Sequence, residues 1–198
     1  MNLQHCHWLN EPALWKHQED VLHVTTDIKT DFWRDTWYGF QRHSGHVFGR
    51  YVDDIHIEAG FTFQLCIEGY FEHLYDQAGI MLLVDEQHWL KAGVEHSDGQ
   101  ATIGSVLTNS CSDWAMSVFP GNPDKFWLRL TYGEGVIRLQ YSTDGVKWPL
   151  LRLSPFAVGS QRVFVGAMCC SPEREGLQVK FSDFSLKSSL KRHLHDLS

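Results

Sequence analysis

The sequence lacks the features that mark several classes of protein. Its five cysteines are an odd number in 198 residues and include no Cys-x-x-Cys spacing, so neither a disulfide framework nor a zinc site is indicated. No stretch reaches the roughly 18 apolar residues of a membrane-spanning helix. The start, "MNLQHCHWLNEPALWKHQED", has neither the basic residues nor the apolar run of a signal peptide. We therefore expect a cytoplasmic protein with reduced thiols and no membrane partner.

An excess of basic residues is also missing. The formal net charge is −7 with histidine neutral, whereas proteins that bind phosphate backbones need a basic patch. The one basic cluster, "KSSLKRHLH", lies close to the C-terminus and is typical of a frayed tail. Twelve histidines are present, but their spacing does not suggest the three or four converging ligands of a zinc site. We expect no nucleic-acid partner, no metal and no cofactor.

What the sequence has in abundance is alternation of apolar and polar residues with a period of two, which predicts half-buried strands. "FTFQLCIEG" (61–69) is one example and "VDDIHIEA" (52–59) another. "KFWLRLTYGEGVIRLQYSTDGVKW" (125–148) predicts two successive hairpins, with turns at 133–135 and 143–145 where glycine permits a positive φ. We count about twelve strands in this way.

These patterns predict one all-β domain over residues 1–186, in which two antiparallel sheets pack face to face. A closed barrel is the alternative. No linker or internal repeat interrupts the pattern. In the C-terminal tail, 187–198, and just before it, leucines are spaced for one face of a helix, so either a short helix or a disordered end is expected there.

The segment "HWLKAGVEH" (88–96) predicts a strand with two different faces. Trp89, Lys91 and Glu95 share one face around Gly93, while the residues between them are apolar and point to the core. An aromatic ring beside a cation and a carboxylate suits a sugar, which has hydroxyl edges and an apolar face. The alternative is an ordinary solvated sheet face, because such residues are common on strands.

Several short motifs occur in an order that resembles a known family. They are "TDFWR" (30–34), "YGF" (38–40), "LYDQAG" (74–79), "KAGVE" (91–95), "SDW" (112–114), "YSTDGVKW" (141–148) and "CSP" (170–172). The chain resembles, over about residues 8–186, a family of concanavalin A-like proteins of unknown function described by the words "regulation of enolase protein". The resemblance implies a lectin/glucanase-type sandwich of two curved antiparallel sheets, with the ligand on the concave sheet. It implies no established activity.

The positions that match these motifs and carry groups able to bind form the candidate site. They are Trp33, Arg34, Asp76, Gln77, Trp89, Lys91, Glu95, Asp113 and Trp114. In this hypothesis Trp89 and Trp114 stack on the ligand, and the polar side chains hydrogen-bond to it.

Three functions remain open at this point. The leading hypothesis is binding of a carbohydrate or similar polyhydroxylated ligand. The second is a regulatory protein that binds a protein partner through the same aromatic face, without catalysis, where Trp33 and Arg34 would matter most. The third is a glycosidase or lyase, which would require two carboxyl groups at a suitable distance, such as Glu95 with Asp76 or Asp113. The Glu-x-Asp-x-x-Glu motif of lectin-like glucanases is absent from the sequence, which favours a binding protein over an enzyme.

Overall fold

The computed structural model describes residues 1–159 and 161–198 and contains sixteen strands, one short α-helix and one 3₁₀ turn. The strands are β1 (His7–Leu9), β2 (Leu14–Gln18), β3 (Val21–Thr25), β4 (Phe32–Arg34), β5 (Gln41–His43), β6 (His46–Tyr51), β7 (Phe61–Gly69), β8 (Gln77–Asp85), β9 (His88–Ser97), β10 (Gln100–Asn109), β11 (Cys111–Val118), β12 (Lys125–Gly133), β13 (Val136–Ser142), β14 (Leu150–Pro155), β15 (Phe164–Cys170) and β16 (Gln178–Ser188). Helix α1 spans Asp54–Ala59, and the 3₁₀ turn spans Leu3–His5.

Two seven-stranded sheets form the domain. The first sheet has the order β1-β6-β15-β8-β9-β10-β11, and the second has the order β14-β13-β12-β7-β16-β3-β2. Every neighbouring pair of strands is antiparallel. The predicted all-β sandwich of two antiparallel sheets is therefore confirmed. Among the described residues, no helix combines the length and the hydrophobicity needed to cross a bilayer.

The main core lies between the two sheets and follows the alternation of the sequence. Leu90, Ala92 and Val94 of β9 are buried in it, together with Phe63 and Leu65 of β7. Because successive side chains on a strand point to opposite faces, Trp89, Lys91 and Glu95 project from the other side of the first sheet. The two faces predicted for residues 89–95 are thus confirmed.

A small hairpin covers part of that other side. It consists of β4, β5 and the turn between them (residues 32–43), and we call it the cover hairpin. Beneath it lies a second apolar cluster, which is separate from the main core. The cluster contains Phe32, Trp33, Val47, Met81, Trp89, Val106, Phe164, Met168 and Cys170. The outer face of the first sheet is therefore partly capped.

Local sequence explains the turns and one wrong prediction. Glu134 and Gly135, both with positive φ (53° and 72°), join β12 to β13 as predicted, and such a two-residue turn matches the twist of the strands. Residues 52–59 were predicted to form a strand, which is wrong, because residues 54–59 are α1. None of the α1 residues is buried, and Ile55 is exposed. The alternating residues therefore do not mark a core face, and Gly60, with φ 81°, ends the helix.

The C-terminal residues run along the second sheet. Strand β16 extends through Ser188, and residues 189–198, all described, contain no helix. The Arg138 guanidinium donates hydrogen bonds to the carbonyls of Leu194 and Asp196. The backbone N–H of Trp148 donates to the carbonyl of Leu197. The tail is thus attached by hydrogen bonds from side chains and loops rather than by the helical leucine face that the spacing allows.

Candidate functional site

A pocket of about 270 Å³ opens between the cover hairpin and the first sheet. Its lining residues are Asp31, Trp33, Tyr38, Phe40, Tyr75, Gln77, Lys91, Glu95, Val106, Trp114, Pro172 and Glu173. Five of the nine predicted site residues are among them, namely Trp33, Gln77, Lys91, Glu95 and Trp114. The sheet supplies the polar groups, and the hairpin supplies several aromatic rings. We therefore take this pocket as the candidate site.

A buried ion pair joins the sheet to Asp31, the residue immediately before the cover hairpin, at this pocket. The Lys91 ammonium donates to the Asp31 carboxylate at 2.8 Å and to Gln77 Oε1 at 3.0 Å. Gln77 lies on the neighbouring strand β8. Burial alone would lower the pKa of Lys91, but the negative charge of Asp31 raises it, and the net shift is upward. Lys91 is therefore held protonated, with two of its three N–H groups in use.

Glu95 has a different environment. It lies on the same face of β9, two positions beyond Gly93, and it lines the pocket without any hydrogen bond from another described side chain to its carboxyl group. Burial raises the pKa of Glu95 to about 7, which the nearby charge of Lys91 opposes and that of Asp31 reinforces. A carboxyl group of this kind can accept or release a proton near neutral pH, and such groups are concentrated at functional sites.

Aromatic rings form the walls of the pocket. Trp33 and Trp114 meet edge to face, with 6.1 Å between ring centroids and 85° between planes. Tyr38 contacts Trp33 at 5.8 Å and stacks on Phe40 at 5.7 Å. Tyr75 also lines the pocket, and burial, assisted by Tyr38, raises the pKa of its hydroxyl. Such rings hold one another in place, so the pocket has walls of fixed shape.

Hydrogen bonds and close packing fix the cover hairpin over the sheet. The Arg34 backbone N–H donates to the Ser112 hydroxyl at 3.0 Å, and its guanidinium donates to the Ser110 carbonyl at 2.9 Å. A Cβ atom at Gly45 would lie 2.2 Å from the Phe32 ring, so this position needs glycine. Arg34 therefore positions the hairpin and does not line the pocket.

Glycines also shape the strands beside the pocket. Gly79, Gly93 and Gly104 lie opposite one another across β8, β9 and β10. A Cβ at Gly93 would lie 2.0 Å from the carbonyl oxygen of Ala78 on the adjacent strand. A narrow recess of about 20 Å³ over Gly93 and Gly104 adjoins the pocket. The glycines thus permit close backbone approach and leave part of the sheet without side chains.

Besides Arg34, three other predicted residues lie outside the lining of the pocket. Trp89 is 1% exposed, packs against Phe32 at 5.9 Å and donates its indole N–H to the Glu86 carbonyl. It cannot stack on a ligand while the cover hairpin lies over it. The sequence hypothesis placed Trp89 on a free face because the hairpin that covers it is more than 40 residues away in the chain.

The other two are carboxylates held by arginines. Asp76 is fully buried and accepts two hydrogen bonds from Arg174, at 2.9 and 2.7 Å. The exposed Asp113 accepts from Arg152 at 2.5 Å. Neither lines the pocket. Asp76 instead ties the loop before β8 to the loop after β15, where its partner lies 98 positions along the chain.

Some pocket residues were missed although the sequence contained a signal for them. Asp31 and Trp33 are two positions apart in "TDFWR", and Tyr38 and Phe40 are two apart in "YGF". Residues with this spacing share a face in extended chain, so Asp31 belongs with Trp33, and Arg34 faces away. Alternation does not identify Tyr38 or Tyr75, because both lie in turns, and Tyr75 has a positive φ of 62°.

Cys170 lies beneath the cover hairpin, while the adjacent Cys169 is in the main core. The two side chains therefore point to opposite faces of the first sheet. Burial raises the pKa of the Cys170 thiol well above its ordinary value. Because the thiolate is the reactive form, Cys170 acts here as a small packing residue.

A larger depression of about 720 Å³ lies on the outer side of the second sheet. It is more open than the pocket, and none of the predicted site residues lines it. Two of its three lysines, Lys125 and Lys180, pair with Glu68, at 3.4 and 3.1 Å. Such exposed ion pairs on an open surface form a weaker candidate than a walled pocket with an unpaired carboxyl group.

Known proteins resemble this chain in both sequence and fold. Residues 8–189 match the family model "Protein of unknown function (DUF1349)". The Saccharomyces cerevisiae protein named "Regulation of enolase protein 1" is 50% identical over 191 residues, which cover 96% of this chain and 93% of the relative. A crystal structure of a functionally unknown S. cerevisiae protein matches with a TM-score of 0.90 and 48% identity, over 96% of this chain and all of that chain.

More distant structures share the fold alone. The GH43 protein BlXynB from Bacillus licheniformis matches with a TM-score of 0.71 and 12% identity, over 93% of this chain and 37% of that chain. The CBM2 module of a Lactobacillus casei phage Dit protein matches with a TM-score of 0.61 and 8% identity, over 96% of this chain and 92% of the module. The family match and the 50% identity decide the membership. This chain belongs to the DUF1349 family of proteins of unknown function.

Proposed function

We propose that the protein binds a small polyhydroxylated ligand, such as one sugar unit, in the pocket between the cover hairpin and the first sheet. The observation that carries the proposal is the division of the pocket into aromatic walls and a polar floor. Trp33 and Trp114 provide apolar surface, and Gln77, Lys91 and Glu95 provide hydrogen-bonding groups. A sugar presents a matching combination of C–H faces and hydroxyl edges.

The size and rigidity of the pocket support a single small ligand. Its volume of about 270 Å³ is near the lower end of the roughly 300–1,000 Å³ that is usual for ligand pockets. The Lys91–Asp31 ion pair and the Arg34 hydrogen bonds hold the hairpin against the sheet. A pocket that is already formed costs less ordering on binding.

The proposal is binding without hydrolysis. The carboxylate pairs considered from the sequence, Glu95 with Asp76 or with Asp113, do not meet in the pocket, because each aspartate is bound by an arginine outside it. The other carboxyl groups of the lining are Asp31, which is engaged by Lys91, and Glu173, which lies at an exposed position. We therefore expect no turnover of nitrophenyl glycosides, and release of nitrophenol that is lost in Glu95→Gln would contradict this point.

A glycan-array screen with matched tryptophan variants tests the proposal. Trp114 lines the pocket, whereas Trp127 lies on the second sheet and donates to Asp183. We expect the wild type and Trp127→Ala to retain the same sugars and Trp114→Ala to lose about tenfold in affinity. All three must show the same cooperative melting. Absence of binding by the wild type, or equal loss in both variants, would refute the proposal.

A second candidate function is binding of a protein partner. Trp37, at the turn of the cover hairpin, is 92% exposed, and its φ is +65°. A large exposed aromatic residue in a left-handed conformation is uncommon, and tryptophan is enriched in interface hot spots. The relative's name, "Regulation of enolase protein 1", makes enolase the partner to examine. The earlier choice of Trp33 and Arg34 is less suitable, because Trp33 is buried and Arg34 holds the hairpin.

Calorimetric titration of purified enolase with the wild type and with Trp37→Ala tests this second function. We expect Trp37→Ala to lose at least tenfold in affinity if the hairpin turn is the interface, while Trp127→Ala binds normally. Enolase binding that is unchanged in Trp37→Ala would exclude this turn as the contact. No binding by the wild type would remove enolase as the partner.

A further inference from the structure

We infer that the pocket selects ligands carrying a protonated amine, an aminated sugar in preference to a neutral or acidic one. The inference rests on the proposed function, because it names the chemical class of ligand for the same pocket. It follows from the balance of charges in the lining and from the nature of the walls.

The lining contains three carboxyl groups and a single ammonium group. The carboxyl groups belong to Asp31, Glu95 and Glu173, and the ammonium group belongs to Lys91. Lys91 is already neutralised by Asp31 at 2.8 Å. Glu95 and Glu173 form no salt bridge with any described residue. The arginine next to Glu173, Arg174, is directed to Asp76 instead. The pocket therefore offers negative charge to a ligand and has no free cation for a phosphate or carboxylate.

The walls favour the same class of ligand. Five aromatic residues line the pocket, namely Trp33, Tyr38, Phe40, Tyr75 and Trp114. The faces of such rings are electron-rich and attract cations, most strongly in tryptophan. This attraction is visible beside the pocket, where the Arg42 guanidinium lies 4.8 Å from the centroid of the Phe40 ring. Aromatic rings are a recurring means of binding ammonium ligands, and unpaired carboxyl groups beside them add charge attraction.

Glu95 is the group that would meet the amine. It lies in both the pocket and the adjoining recess, and its carboxyl group has no partner among the described side chains. The other charged groups of the lining, Asp31, Lys91 and Glu173, have been named above. An ammonium ligand would stabilise the carboxylate form of Glu95, whose pKa burial otherwise raises. A neutral hydroxyl would do so less, and a carboxylate ligand would oppose it.

Three sugars that share one ring framework separate these possibilities. Calorimetry at pH 7.5, above the pKa of about 7 that burial gives Glu95, compares an amine, a neutral hydroxyl group and a carboxylate with glucosamine, glucose and glucuronic acid. We expect glucosamine to bind about tenfold more tightly than glucose, and glucuronic acid most weakly. In Glu95→Gln we expect glucosamine and glucose to bind within about twofold of each other. Glu173→Gln, at an exposed position, provides a second variant that does not disturb packing.

The outcomes of these titrations separate the amine preference from the proposed binding of a polyhydroxylated ligand. Glucose that binds as tightly as glucosamine, or glucuronic acid that binds best, would overturn the inference and leave the polyhydroxylated-ligand function standing. An amine preference that persists in both Glu95→Gln and Glu173→Gln would also overturn it. Binding of tetramethylammonium chloride that is lost in Trp114→Ala, without binding of any sugar, would support the preference for cations and refute the sugar function. If the wild type binds none of the three sugars and no tetramethylammonium, both the amine preference and the sugar-binding function are rejected.

Discussion

Removal of the Lys91 ammonium tests whether the buried ion pair holds the cover hairpin on the sheet. Lys91 is 5% exposed and the Asp31 side chain is 17% exposed, with 2.8 Å between Nζ and Oδ1. Deleting one partner of such a pair leaves the other charge buried and uncompensated, at a typical cost of 3–5 kcal/mol. Asp31 would keep a hydrogen bond from the Phe32 N–H and some contact with water. We therefore expect Lys91→Met to lose about 3 kcal/mol of unfolding free energy at pH 7.

The losses of unfolding free energy caused by replacing Lys91 and Asp31 should not be additive. Asp31→Asn leaves the Lys91 ammonium unpaired, and we expect a loss of about 3 kcal/mol for it as well. The double variant Lys91→Met/Asp31→Asn contains neither charge, so its loss should be smaller than the sum of the two by at least about 1 kcal/mol. For a chain of this length a loss of about 3 kcal/mol corresponds to a fall in Tm of about 6–12 °C.

Equilibrium unfolding in urea measures all three values. The transitions must coincide when followed by tryptophan fluorescence and by far-ultraviolet circular dichroism, so that a two-state treatment applies. The matched control is Lys180→Met, because Lys180 forms an exposed pair with Glu68 at 3.1 Å and exposed pairs contribute about 0–1 kcal/mol. Additive losses at Lys91 and Asp31, within about 0.5 kcal/mol, would refute the claim that the pair anchors the hairpin.

Four further predictions concern other residues in and around the first sheet. Folding raises the pKa of Glu95 from 4.5 to about 7, so the folded state holds this proton more tightly than the unfolded state. The resulting stabilisation is present below pH 4.5 and falls by roughly 3 kcal/mol by pH 7. Urea unfolding at several pH values should show this fall in unfolding free energy in the wild type and not in Glu95→Gln. Gly93→Ala should lower stability by at least about 2 kcal/mol through the clash with the neighbouring strand, as thermal melting would show, and a neutral effect would refute the close approach. Asp76→Ala should cost about 3–5 kcal/mol in urea unfolding because Arg174 loses its buried partner, and a loss under about 1 kcal/mol would contradict that role. Trp37→Ala should change stability by under about 0.5 kcal/mol, since its side chain is 92% exposed, and a larger loss would show that the turn is packed in solution.

The sequence predicted the two faces of β9 because that information is local. Period two fixes which side chains share a face, and Leu90, Ala92 and Val94 are in the main core as expected. The same rule does not state what lies over the opposite face. Trp89 was expected to be free and is buried, because Phe32 of the cover hairpin packs on it. Covering by a distant segment depends on the tertiary fold and leaves no local pattern.

The pairing of the carboxylates is a second feature that the local sequence pattern does not reveal. Asp76 and Asp113 were chosen for their motifs, yet each is bound by an arginine, 98 and 39 positions away respectively. The carboxylate that does reach the pocket, Asp31, is 60 positions from its partner Lys91. Sequence spacing shows which residue types are available, whereas the pairing of charges is decided by which loops the sandwich brings together.

The structure of the protein with a bound sugar tests the central claim most directly. Crystals would be soaked with the tightest sugar from the glycan array, beside crystals of Trp114→Ala treated in the same way. We predict electron density for one sugar unit against Trp33 and Trp114, with its hydroxyl groups within hydrogen-bonding distance of Gln77 and Glu95, and none in the variant. Density in the depression on the second sheet, with the pocket empty, would contradict the account and move the site to the other side of the sandwich.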